Sequence, residues 1–169
     1  MFVKFLREHV IASYLLLILR IYVGWEWVQA GWEKITGDTA FDSAKFLQAA
    51  VKKATGEHPA VQNWWASFLS HVAVPNAGFF SFLVQWGELL VGIGLIVGCF
   101  TTFATLMGMI MNFAYLLSGT TSTNPQLLLL EIFIVVAGFN AAKWGLDYWV
   151  IPYLKSWTAG GKHWSSLKR

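Results

Sequence analysis

Apolar positions crowd into four runs along the chain, and polar positions collect between and beyond them. A membrane-spanning helix needs about 20 predominantly apolar residues. The runs fall at roughly 10–30, 76–100, 102–118 and 125–142. The second and third meet at Gly98-Cys99-Phe100-Thr101-Thr102, which predicts a tight hairpin. Gly119 to Asn124 forms a short polar turn, and Pro125 is placed to open the fourth helix. Short connections make sequential helices antiparallel neighbours. The expected fold is all-α, a polytopic membrane protein. It is a four-transmembrane-helix bundle in one domain over 1–169, with a long helical loop between helices 1 and 2.

That loop, residues 31–75, is too long to be structureless in so compact a chain. Within it, 39–55 reads as an amphipathic helix. Phe41, Leu47, Val51 and Ala54 follow helical spacing, Asp38 or Asp42 suits the start, Lys52 and Lys53 the last turn, and Gly56 the stop. From Pro59 to Val74, a stripe of Val61, Trp65, Phe68 and Val72 predicts a second helical segment. Trp64 and Trp65 favour the membrane interface. The expectation is an interfacial loop that caps the bundle; the alternative is an ordinary solvated loop.

Charges inside the runs carry the chemical interest. Arg20 and Glu26 fall in the first and Glu88 in the second. A charge in hydrocarbon is expensive and marks a functional site by default. Tyr22, Glu26, Gln29 and Glu33 share one face of the first helix at i, i+4, i+7 and i+11. Gln85, Glu88 and Gly92 share a face of the second, and Gly108, Asn112 and Tyr115 a face of the third. The simplest assembly pairs Arg20 with Glu26 or Glu88 and lets Gln29, Gln85 and Asn112 complete the hydrogen bonds. Two readings stand side by side. Such residues can be interhelical glue, at about 1 kcal/mol per bond. They can also line a pocket, where two carboxylates against one arginine leave an excess acid suited to proton exchange. Gly24, Gly31, Gly87, Gly92, Gly94 and Gly98 read mainly as close-packing positions.

Composition narrows the classes. The chain is 56% hydrophobic and 12% charged, against about 25% charged in soluble domains. Its net charge of +3 is spread over two tails and one loop, so no basic face for nucleic acid is expected. The first run is too long for a signal-peptide core, lacks a small-residue cleavage site, and is read as retained. Cys99 is the only cysteine, which excludes an intramolecular disulfide or a dithiol redox motif. His9, His58, His71 and His163 lie outside the apolar runs, so neither a haem nor a metal site is expected. Lys4 and Arg7 precede the first run; Lys143, Lys155, Lys162, Lys168 and Arg169 follow the last. An even number of spans with this bias places both termini in the cytoplasm. Trp144, Tyr148, Trp149, Tyr153 and Trp157 suit a headgroup boundary.

Three stretches, LRIYVGWEWVQAGWEKITG (Leu19 to Gly37), WGELLVGIGLIVGCFTTFATLMG (Trp86 to Gly108) and AAKWGLDYW (Ala141 to Trp149), together resemble the DoxX/DoxD family of small bacterial membrane proteins. The resemblance implies a four-helix bundle in the bacterial cytoplasmic membrane. It also implies kinship with the membrane subunit of thiosulfate:quinone oxidoreductase. The family's arginine and Gly-x-x-Lys pattern falls on Arg20, Gly31 and Lys34, its second-helix glutamate on Glu88, and its aspartate after the fourth helix on Asp147.

The expected function is a membrane redox subunit that interacts with a quinone, menaquinone or ubiquinone. The pocket is expected between helices 1 to 3, lined by Arg20, Trp25, Glu26, Trp27, Gln29, Gln85, Glu88, Asn112 and Tyr115. Arg20 would hydrogen-bond a quinone carbonyl or orient a carboxylate. Glu88 or Glu26 would exchange protons, and the aromatic rings would stack on the ligand. Besides the bilayer, the expected partners are a soluble redox protein or further copies of the chain. The rival reading is a non-enzymatic bundle that binds a small molecule or lipid, or an accessory subunit of a larger complex.

Overall fold

The computed structural model describes residues 1–158; among them every regular element is a helix. Lys162, His163, Lys168 and Arg169, counted above with the basic tail, lie outside the described residues. The elements are α1 (Phe2–Glu8), α2 (Val10–Thr36), α3 (Ser43–Lys52), α4 (Asn63–Phe68, continued by a π-helical turn Leu69–Ala73), α5 (Ala77–Val97), α6 (Thr101–Leu117), α7 (Asn124–Ala137), α8 (Phe139–Ala142) and α9 (Asp147–Thr158).

The four apolar runs become α2, α5, α6 and α7. Only α2 and α5, of 27 and 21 residues, are long and apolar enough by themselves to cross a membrane. α6 and α7 are apolar but shorter, at 17 and 14 residues. The fourth run breaks at Gly138, whose φ of +57° and ψ of −129° suit glycine and turn the chain into α8. Conversely, α2 runs past residue 30 to Thr36, because its last turn still has work against α5. Gln85 Nε2 donates to the Lys34 carbonyl at 3.0 Å, and Lys34 itself pairs with α5. α1 was not foreseen. It is cut from α2 at His9, which is extended (φ −84°, ψ 134°) and whose ring nitrogen accepts from the Ile11 amide.

α2 and α5 form the spine of the bundle, and glycine makes their approach close. A Cβ on Gly92 would stand 2.5 Å from the Val28 nitrogen, and one on Gly31 would stand 2.6 Å from the Leu89 nitrogen. Both clashes are with backbone, so no rotamer change relieves them. Around this seam Leu16, Val23, Trp27, Val91, Leu95 and Ile134 make the buried core. Ile18, Leu90, Phe103 and Ile110 face outward, as lipid-facing positions should.

The loop folds as a cap. Asp42 accepts from the Ala44 amide at 2.8 Å and starts α3. Leu47 and Ala50 of α3 pack with Leu69 and Ala73 in a second small core. Hydrogen bonds that fasten this cap to the bundle include the Ser43 amide to Ser81 Oγ at 2.9 Å, Ser43 Oγ to the Ala77 carbonyl at 2.9 Å, Lys53 Nζ to the Gly119 carbonyl at 2.9 Å, and Trp65 Nε1 to Ser118 Oγ at 2.9 Å. The cap therefore sits over the end where α6 turns into α7. α1 packs at the other end, where Asn140 Nδ2 donates to the Leu6 and His9 carbonyls at 2.8 and 3.1 Å.

Candidate functional site

Between the cap and the bundle lies a cavity of about 520 Å³. Trp27 of α2, Phe41 before α3, Phe46 of α3, Trp65 of α4, Phe80 of α5 and Tyr115 of α6 give it an aromatic wall. Lys34 and Glu88 form its charged corner. Lys34 Nζ lies 2.7 Å from Glu88 Oε2, and the Tyr115 hydroxyl donates to Glu88 Oε1 at 2.6 Å. Lys34 also donates to the Ala30 carbonyl at 3.2 Å. Its ammonium stands over the Phe41 ring at 5.7 Å, and Phe46 meets Tyr115 edge-on at 6.0 Å. Cap, α2, α5 and α6 thus converge on one carboxylate that is 1% exposed. An ammonium has three N–H donors; Ala30 and Glu88 take two.

A second buried acid lies deeper. Glu131 of α7 is 0% exposed, and its two oxygens accept from Trp27 Nε1 and Asn112 Nδ2, each at 2.8 Å. Gly108 makes room for it, since a Cβ there would be 2.5 Å from Glu131 Oε1. Trp27 lines the cavity with its ring while its indole N–H is held from behind by this carboxylate. Glu131 was absent from the sequence expectations. Its signal was plain: it is the lone acid of the fourth run, PQLLLLEIFIVVAGF.

Arg20 is elsewhere. It sits fourteen residues before Lys34 on α2, about 21 Å along a helix. It pairs with neither Glu26 nor Glu88. Nη1 donates to the Ala141 carbonyl at 2.9 Å and Nη2 to the Trp144 carbonyl at 3.2 Å. Gly98 and Gly145 close on it so tightly that a Cβ on either would fall within 3 Å of Nη1. Asp147, just beyond, accepts from the Phe100 and Thr101 amides at 2.6 and 2.7 Å and so caps α6. Arg20 went to this end because two carbonyls and two glycines made a slot there, whereas Lys34 is within reach of Glu88.

Of the residues expected at the pocket, Glu26, Trp27, Gln29, Glu88 and Tyr115 line the cavity. Arg20, Trp25, Gln85 and Asn112 do not. Trp25 is 54% exposed on the outer face of α2. Gln85 is engaged by the Lys34 backbone and Asn112 by Glu131. Lys34 and the cap aromatics, which the expected pocket lacked, take their places. Lys34 lay past the apolar run and entered only through the family pattern.

An all-helical bundle with two membrane-length helices, outward apolar side chains and buried acids belongs to the class of helical membrane proteins. The chain is a member of the DoxX family, whose profile matches residues 15–120. No curated protein and no solved structure matches it.

Proposed function

We propose that this DoxX protein is a membrane redox subunit that binds a quinone headgroup, menaquinone or ubiquinone, in the cavity beneath the cap. The observation that carries the reading is the Lys34–Glu88–Tyr115 corner on an otherwise aromatic wall. Ligand pockets of about 300–1,000 Å³ are mostly apolar with a few convergent polar groups, and a cavity of about 520 Å³ fits that range. The donor set fits a flat dicarbonyl ring. The third N–H of Lys34 donates to a carbonyl oxygen. Trp27, Trp65 and Phe46 hold the ring by stacking or edge contact. Glu88, touching both Lys34 and Tyr115, holds and passes a proton beside that carbonyl. A quinone supplies two-electron, two-proton redox chemistry when bound, with electrons delivered by a soluble redox partner.

In this reading the protein lies in the bacterial cytoplasmic membrane. The seven basic residues of the tails, Lys4, Arg7, Lys143, Lys155, Lys162, Lys168 and Arg169, against Lys34, Lys45, Lys52 and Lys53 in the loop, support a cytoplasmic tail end with the cap on the opposite side. Arg20, Trp25, Gln85 and Asn112 have no ligand contact. Solvent extraction of purified protein is expected to release a quinone, and release of phospholipid alone would favour a non-enzymatic lipid-binding bundle instead. Glu88→Gln keeps the shape of the corner but cannot exchange a proton. It is expected to fold, to retain the quinone and to lose quinone reduction in the presence of the native electron donor. Full turnover in that variant would reduce Glu88 to interhelical glue.

A further inference from the structure

The end of the bundle that carries both tails has a hollow of its own, about 550 Å³, remote from the capped cavity. It lies where α7 stops at Gly138 and the chain turns into α8. Arg7 of α1 and Lys143 after α8 stand on its rim. Their placement is built rather than incidental. Arg7 Nε donates to the Val136 carbonyl at 2.9 Å, which uses one of its five N–H donors. Asn140, 6% exposed, ties α8 to α1 through the Leu6 and His9 carbonyls. The acid on the rim, Glu8, faces Lys4 at 3.9 Å. Among the described residues no carboxylate lies within ion-pair distance of Arg7 or Lys143.

Two cations without an acid partner on one hollow call for an anion. The surroundings say what kind. Phe139 of α8 lines it and is exposed, and Phe2, Val3 and Phe5 are exposed on α1, the helix that carries Arg7. A free ion would leave that apolar surface in water, whereas a phospholipid covers it with acyl chain. We propose that this hollow binds the phosphate headgroup of an anionic phospholipid, clamped between Arg7 and Lys143, with α1 lying in the headgroup layer. Basic pockets between helices at a membrane face are a recurrent mode of such recognition, and the arginine fork matches phosphate oxygens.

Native mass spectrometry of the full chain in detergent tests this, with phosphatidylglycerol and phosphatidylcholine offered at equal concentration. Phosphatidylglycerol is expected to be retained preferentially. Lys143→Gln should weaken that retention about fivefold, the effect of one cation near an anionic surface. Arg7→Gln with Lys143→Gln should abolish the preference, and Arg7→Lys should largely keep it. Lys143 makes no hydrogen bond among the described residues, so Lys143→Gln remains informative even if the Arg7 variants unfold. Equal retention of both lipids, or an unchanged Lys143→Gln, overturns the proposal. So does displacement of phosphatidylglycerol by millimolar inorganic phosphate, which would make the hollow a free-anion site.

Discussion

The two ends of the bundle each hold a cation, and they do it in opposite ways. At the tail end Arg20, 1% exposed, is held by the carbonyls of Ala141 and Trp144 and squeezed between Gly98 and Gly145. Its partners are mostly backbone, and no space is left beside it. At the capped end Lys34 is held by the Ala30 carbonyl and by the Glu88 carboxylate, to which Tyr115 also donates, and it borders an open cavity. A charge satisfied by backbone carbonyls locks helices together; a charge satisfied by titratable side chains at the edge of a cavity is available to a ligand. Arg20 is fully buried whereas the Lys34 side chain is 25% exposed, and the two differ further in the identity of their partners and the space beside them.

The contrast can be broken at several points. Arg20→Ala is expected to have the largest effect on stability. It leaves the Ala141 and Trp144 carbonyls without their donor, at about 2–6 kcal/mol for the two together. Thermal unfolding of detergent-solubilised protein measures this, and an unchanged midpoint would mean that the tail end is not a structural lock. Gly98→Ala comes next. Its φ is +70°, and the new Cβ would stand 2.6 Å from Arg20 Nη1; about 1–3 kcal/mol should be lost, with no change in ligand retained per folded molecule. A Gly98→Ala protein that melts normally but loses ligand would join the two ends into one unit. Glu131→Gln should have the smallest effect, within about 1 kcal/mol. The amide can still accept from Trp27 Nε1, and its own N–H can meet Asn112 Oδ1, which is buried and without a partner, once the Asn112 amide turns over. Equilibrium unfolding by denaturant would resolve it. A loss of several kcal/mol would show that the carboxylate itself is required there.

The sequence made much of the fold legible. Apolar run length gave the four main helices, and the Phe41 to Ala54 and Val61 to Val72 spacings anticipated the two cap helices. The site was legible only in part. Glu88 and Tyr115 stand out as polar residues on apolar faces, and both reach the cavity. The partners of Arg20 were invisible because they are main-chain carbonyls, which no residue type advertises. Lys34 was obscured by the run boundary at residue 30, since helix continues wherever packing against α5 supports it, apolar or not. The cap aromatics carry no sign of which ones turn inward, because that depends on how α3 and α4 dock. Glu131 was within reach of the same rule that singled out Glu88.

The unequal helix lengths have a consequence for the membrane itself. At 1.5 Å per residue, α7 covers about 21 Å before Gly138 interrupts it, and α6 about 26 Å, against a hydrocarbon layer of about 30 Å. α2 and α5 have no such shortfall. The protein is therefore a lopsided solute, full height on one flank and short on the other. A flank shorter than the hydrocarbon layer is accommodated by local thinning of the bilayer, by snorkelling of flanking residues or by association. That flank is set by where α6 ends at Leu117 and where Gly138 stops α7.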